Sequence, residues 1–158
     1  MRRSRTQSST QISRHVNAPR GRVYAALVDR DAIARWKFPA GMTCHVHSFE
    51  GRPGGTFRIS LTYDVPTSAG KTTAHTDTYH GRFVELVPNE RVVEVDEFET
   101  EDPALQGEMT ITITLTDADG GTDVVGVHED LPPGVSTTDN EAGWRSALDR
   151  LAALVEGP

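Results

Sequence analysis

Six histidines, an acidic stretch and a set of aromatic residues hold whatever chemistry this chain performs. His45 and His47 stand two apart, which puts both rings on one strand face at a spacing that can hold a metal. Such sites need three or four converging ligands, and the sequence offers no third nearby, so no metal centre is expected. The single cysteine, Cys44, excludes an internal disulfide and a multi-cysteine cluster. His128 is the stronger candidate. It shares strand parity with Val124 and Gly126, and the glycine leaves a gap beside it. A histidine bordering a gap can contact a ligand or move a proton near neutral pH. In the stretch Glu94, Asp96, Glu97, Glu99, Glu101 and Asp102, Val93 and Val95 read as the buried side, which brings Glu97 inward. A carboxyl drawn out of water has a raised pKa and can act as acid or base. Tyr63 and Tyr79 can aim hydroxyls into an interior. The plainer readings are a hydrogen-bonded structural histidine and a solvated loop edge. No nucleophile motif, phosphate loop or dinucleotide fingerprint is present, and the glycine pairs at 54–55 and 120–121 read as turns, so no cofactor is expected.

The elements that must position these groups follow from periodicity. Asp139 to Glu156 carries Trp144, Leu148, Leu151 and Val155 on one stripe of 3.6-residue period, widened by Ala147, Ala152 and Leu154. Ser136, Thr137, Thr138 and Asp139 offer N-caps. Upstream, Thr10 to Asn17 reads as a strand. Ala18-Pro19 opens a helix with Val23, Ala26 and Leu27 buried. Asp29 caps a short helix over Asp31 to Trp36. Strands then dominate: Met42 to Glu50, Thr56 to Asp64, Thr72 to Val87, Arg91 to Phe98, Gly107 to Asp117 and Thr122 to Glu129. Val65 to Lys71 reads as a loop, and Asp119-Gly120-Gly121 as a hairpin turn.

Six consecutive strands joined by short turns indicate an antiparallel meander. Their alternation leaves one apolar face, and only the last helix is large enough to cover it. A curved sheet gripping one helix tends to leave space between them, the default place for a ligand. The residues expected around it are Trp36, Phe57, Ile59, Tyr63, Tyr79, Phe83, Ile111, Ile113, His128, Trp144 and Leu148, any of which can equally be plain core. Trp36 and Trp144 lead, each on a helix expected to face the sheet.

Composition narrows the partners. The chain has 158 residues and a net charge of −7. Residues 1–14 hold Arg2, Arg3, Arg5 and Arg14 and no acid, which leaves −11 for the rest. So acidic a body repels phosphate backbones, and nucleic acid is not an expected partner. The basic start, 1–9, reads as a disordered tail before a single domain over 10–158. No apolar run suffices for a membrane span, and the start lacks the apolar core of a secretory signal. A cytoplasmic location is the expectation, with monomer and dimer both open.

The layout resembles the helix-grip fold of the START-like (SRPBCC) superfamily, and within it the activator of Hsp90 ATPase homologue family. The resemblance lies in Ala18-Pro19 with Val23, Tyr24 and Ala26, in Ile33-Ala34-Arg35-Trp36, and in Gly54-Gly55-x-Phe57-Arg58. It continues through Gly81-x-Phe83-x-Glu85, Pro88-x-Glu90-Arg91-Val92-Val93, and Gly143-Trp144 with Leu148 and Leu151. It spans about residues 10–156. It implies an α+β fold, a curved antiparallel sheet in the order β-α-α-β6-α wrapped on a long C-terminal helix, and it turns His128 toward the cavity. The chain departs from the family where Lys37, Glu94, Asp96 and Gly126 replace larger apolar or aromatic residues. Three functions fit. The first is binding of a small apolar or aromatic molecule. The second is a cyclase or dehydratase-type enzyme using His128, Glu97 or Tyr63. The third is a co-chaperone-like interaction module. Convergent polar groups in the cavity favour the enzyme, an apolar cavity the binder, and a filled interior with an exposed apolar patch the module.

Overall fold

The computed structural model describes residues 8–64 and 75–157. The Val65 to Lys71 loop and the start of the strand expected from Thr72 lie outside these residues, as do residues 1–7 of the expected tail. Ser8 and Ser9, assigned to that tail by the sequence, belong instead to the first strand. The elements are β1 (Ser8–Val16), α1 (Arg20–Leu27), α2 (Arg30–Trp36), β2 (Met42–Phe49), β3 (Thr56–Tyr63), β4 (Thr76–Val87), β5 (Arg91–Phe98), β6 (Met109–Ala118), β7 (Gly121–Leu131) and α3 (Thr137–Glu156), with a single 3₁₀ turn at Pro103–Leu105.

All seven strands form one antiparallel sheet in the order β1-β7-β6-β5-β4-β3-β2. Strands β2 to β7 are the meander the short turns require. β1 pairs with the last strand, and α1 and α2 carry the chain across to the far edge. Pro19 takes the cap position of α1 rather than its first turn, and its carbonyl accepts the amides of Arg22 and Val23. Asp29 caps α2 by accepting from the Ala32 amide.

Alternation decides which residues go inside. On β6, Met109, Ile111, Ile113 and Leu115 are all buried. Directly paired residues of an antiparallel ladder share a face. Glu94 pairs with Ile111, and Asp96 with Met109, so both acids must share the buried face. This corrects the sequence reading of β5. Its buried side is Val92, Glu94 and Asp96, not Val93 and Val95.

α3 is capped by Ser136, whose side chain accepts from the Asp139 amide. It runs in the same direction as β1. Thr10 bonds Asn140, Arg14 bonds Asp149, and the Asn17 amide bonds Glu156. Seven strand residues at ~3.3 Å and sixteen helical residues at ~1.5 Å both span about 24 Å, so the two elements keep step along their length. The second half of the helix buries Leu148, Leu151, Ala152 and Val155. They form one core with Val23 and Leu27 of α1 and Ile33 and Trp36 of α2. Fully burying a leucine there contributes roughly 1.5–3 kcal/mol. The first half of α3 stands off the sheet.

Candidate functional site

The gap beneath the first half of α3 is a cavity of about 580 Å³, within the ~300–1,000 Å³ typical of small-molecule sites. The sheet supplies its floor through Tyr79, Asp96, Met109, Ile111 and His128. α3 supplies the roof through Asn140, Gly143, Trp144 and Ala147. Leu61 and Tyr63 of β3 and the link Lys37–Ala40 after α2 close the sides. That link is held to the roof. Arg150 donates to the Phe38 carbonyl at 2.7 Å, and its guanidinium lies 4.3 Å from the Phe38 ring centroid. Gly143 lets the link approach, because a Cβ there would lie 3.3 Å from Cβ of Pro39.

One end of the cavity is organised by His128. Its Nδ1 accepts from the Trp144 indole at 3.1 Å and from the Asn140 amide at 3.2 Å. An indole N–H can only donate, so Nδ1 is bare and the proton of the neutral ring sits on Nε2. That nitrogen lies 3.2 Å from the Met109 sulfur. Burial lowers the His128 pKa to about 4. At neutral pH the ring is an uncharged tie between β7 and α3, not a proton shuttle. Gly126 has room for a side chain, since a Cβ there would approach only the Ile12 carbonyl, at 4.0 Å, but it is not part of the cavity wall.

The other end is ionic. Lys37 donates to both carboxylate oxygens of Glu94, at 2.6 and 2.7 Å, and both side chains are buried. Burial works against the Lys37 charge, but Glu94 and Asp96 outweigh it and hold the pKa above its ordinary value. Asp96, beside this pair, has an oxygen, Oδ1, with no hydrogen-bond partner. Burial first, and then the Glu94 charge, push its pKa well above the carboxylate range, with Lys37 opposing. Its carboxyl occupies space that Gly81 leaves open, because a Cβ at 81 would sit 2.6 Å from Oδ1. Tyr79 is kept a neutral phenol by burial and by the charges of Asp96 and Glu94. Cys44 is pushed up to about 11 by burial and is an unreactive thiol.

Of the residues singled out by sequence, Tyr63, Tyr79, Ile111, His128 and Trp144 line the cavity. Trp36, Phe57, Ile59, Phe83, Ile113 and Leu148 do not; they are buried in the surrounding core. Trp36 turns its indole N–H to the Ala26 carbonyl at 2.8 Å, which fixes α1 against α2. Glu97 points to the outer face, 3.4 Å from His80, because its neighbours Glu94 and Asp96 take the inner parity. Sequence reasoning missed Lys37, Asp77, Asp96 and Asn140 as wall residues. The signal lay in β6, whose unbroken alternation fixes the inner parity of its partner strand. Among the described residues, no three histidine, cysteine or carboxylate side chains are grouped to hold a metal. No helix among them is long and apolar enough to cross a membrane.

The profile of the Activator of Hsp90 ATPase homolog 1-like protein family matches residues 17–156. No match was found among curated proteins. Among solved structures, protein CV1439 from Chromobacterium violaceum is 34% identical, with a TM-score of 0.84 over 95% of this chain and 98% of that one. A protein from Arthrobacter aurescens aligns at 18% identity and TM-score 0.78, covering 95% and 87% of the two chains. Protein Ms6760 from Mycobacterium smegmatis aligns at 19% identity and TM-score 0.72, covering 93% and 90%. The last two share the fold alone.

Proposed function

The chain belongs to the Activator of Hsp90 ATPase homolog 1-like family, and within that family we propose that it is a binding protein for one small, largely apolar or aromatic molecule held between the sheet and α3. A cytoplasmic setting is part of this reading. The observation that carries it is the cavity itself: about 580 Å³, with Met42, Leu61, Met109, Ile111, Leu131 and Trp144 around a few polar groups. Apolar walls supply the binding energy, and the polar groups orient the guest. Trp144 is held edge-on to His128, with ring centroids 6.2 Å apart, so its position is fixed before a ligand arrives. A preset wall reduces the ordering cost of binding.

The test uses N-phenyl-1-naphthylamine, a neutral apolar fluorophore. Saturable binding with 1:1 stoichiometry is expected, and Trp144→Ala should weaken it at least tenfold by removing a large buried aromatic contact. Absence of saturable binding to the wild type contradicts the proposal. Native mass spectrometry of freshly purified protein adds a second readout, a mass increment from a co-purified guest.

One observation favours a second reading, an acid-base enzyme of cyclase or dehydratase type. Asp96 is a carboxyl on the cavity wall whose pKa burial raises, and an acid held in its protonated form can donate to a bound substrate. In that reading Asp96 replaces Glu97 and His128 as the proton donor. An interaction module is the poorer fit, since Val84 alone among the described large hydrophobics is exposed.

A further inference from the structure

The inference that follows rests on the binding reading and concerns what the guest must carry. Charge on the cavity wall is unbalanced. Among the described lining residues Lys37 is the sole lysine or arginine, and Glu94, directly behind the wall, engages it with both oxygens. Lys37 also acts on Asp96 through space, but Asp96 has no hydrogen-bonded cation of its own. It is 4% exposed, it lines the cavity, and Oδ1 has no donor. An aspartate χ2 is soft, so either oxygen can be turned to a guest. The rim adds another acid, Asp139 at the start of α3.

We propose that the guest is an aromatic or apolar molecule bearing a protonated amine, with its ammonium against Asp96 and its body against Ile111, Met109 and Trp144. A buried carboxyl without a counter-charge is costly when ionised. In the empty cavity the cost is avoided by protonation, which burial and Glu94 both favour. An ammonium makes a charge-assisted hydrogen bond and supplies the missing charge. The exchange is balanced: the cationic amine enters, Asp96 gives up one proton to solvent, and the site gains an ion pair. A carboxylate guest would find the one lining lysine already engaged by Glu94 and would meet Asp139 at the rim.

The pH dependence belongs to Asp96 and to the groups facing it. Glu94 adjoins it on β5, Lys37 faces it from the link after α2, and Tyr79 from β4. Cys44 is on β2 and His128 on β7, Asp77 of β4 also lines the cavity, and Asp139 is on α3 above. At neutral pH Lys37 stays charged, and Tyr79, Cys44 and His128 stay neutral. Asp77 of β4 is a second buried acid on the wall, and the Asp96→Asn variant below assigns the exchange to Asp96.

Three probes of one shape test this by isothermal titration calorimetry: 2-naphthylmethylamine, 2-naphthylmethanol and 2-naphthoate. At pH 7 the amine should bind roughly tenfold or more tighter than the alcohol, and the naphthoate weakest, as expected for a charge-assisted bond in a buried site. Repeating the amine titration in phosphate and in Tris, whose ionisation heats differ, should reveal proton release on binding. Asp96→Asn should erase the amine's advantage over the alcohol together with the proton release, since the variant keeps the shape of the wall and removes only the ionisable oxygen. An amine no tighter than the alcohol in the wild type overturns the inference and leaves the binding reading standing. So does an amine preference that survives Asp96→Asn. Failure of all three probes to bind overturns both.

Discussion

Replacing Lys37 by methionine keeps most of its aliphatic stem and removes its ammonium. The side chains of Lys37 and Glu94 are 8% and 2% exposed, so little water can take the ammonium's place. Breaking such a pair from one side costs about 3–5 kcal/mol, because the remaining charge is buried and uncompensated. Here the cost falls at the high end, since Asp96 stands beside Glu94 and offers no positive charge in return. Against a typical stability of ~5–15 kcal/mol, that is a third or more of the total. With a urea m-value of ~2 kcal/mol/M, the unfolding midpoint should fall by about 2 M. The double variant Lys37→Met/Glu94→Leu removes both charges and their desolvation cost together. It should lie within about 1 kcal/mol of the wild type, and since breaking the pair from either side costs ~3–5 kcal/mol, the double-mutant cycle should give a coupling of about 5 kcal/mol or more. A single variant losing less than ~1 kcal/mol, or a double variant as damaged as the sum of its parts, would refute the claim that the pair is desolvated in the fold.

Asp96→Asn should raise stability at neutral pH. The acid's pKa is raised on folding, so its contribution is fully present below about 3.8 and is lost as pH climbs toward the raised value. Asparagine does not titrate, so the stability difference between the two proteins should widen from pH 4 to pH 7, at up to ~1.4 kcal/mol per pH unit; equal gaps at the two pH values would contradict this. His128 runs the other way. Its pKa falls from 6.5 to about 4, so its neutral form stabilises the fold fully above pH 6.5 and this is lost as pH drops toward 4. The loss amounts to about 3 kcal/mol. Its ring resonances should stay flat from pH 8 to 5, and a midpoint near 6.5 would show that the ring is not buried. Leu151→Ala should cost roughly 2–5 kcal/mol in urea unfolding, since Leu151 is 0% exposed in the core; a loss under ~0.5 kcal/mol would mean the stripe does not face the sheet.

The fold was legible because its signals are periodic and redundant. The stripe of α3, the alternation of β6 and the glycine turns each specify one arrangement, and the meander joins them. The cavity wall was legible where it follows that frame, at His128, Trp144 and Tyr79. It was illegible on β5, where Val92, Val93 and Val95 occupy both parities and hydrophobicity cannot choose the inner face. The choice is made across the ladder by Ile111 and Met109 on β6, which pair with Glu94 and Asp96. Local sequence also cannot show that Lys37, 57 positions away, neutralises Glu94. Trp36 was misassigned for a related reason. Helical periodicity turns it inward, but only the packing of α1 on α2 shows that inward means the Ala26 carbonyl rather than the cavity.

The central claim is that a small molecule binds between the sheet and the first half of α3. The chain has two tryptophans, and they report on opposite sides of that claim. The Trp144 indole N–H lies at the cavity, bonded to His128, and the Trp36 indole N–H is sealed in the core against Ala26. A ¹H–¹⁵N spectrum during titration with 2-naphthylmethanol therefore tests the claim with an internal control. The Trp144 signal should move saturably while the Trp36 signal stays in place. If the probe binds and Trp144 does not respond, or if saturating probe leaves the whole spectrum unchanged, the cavity is not the ligand site.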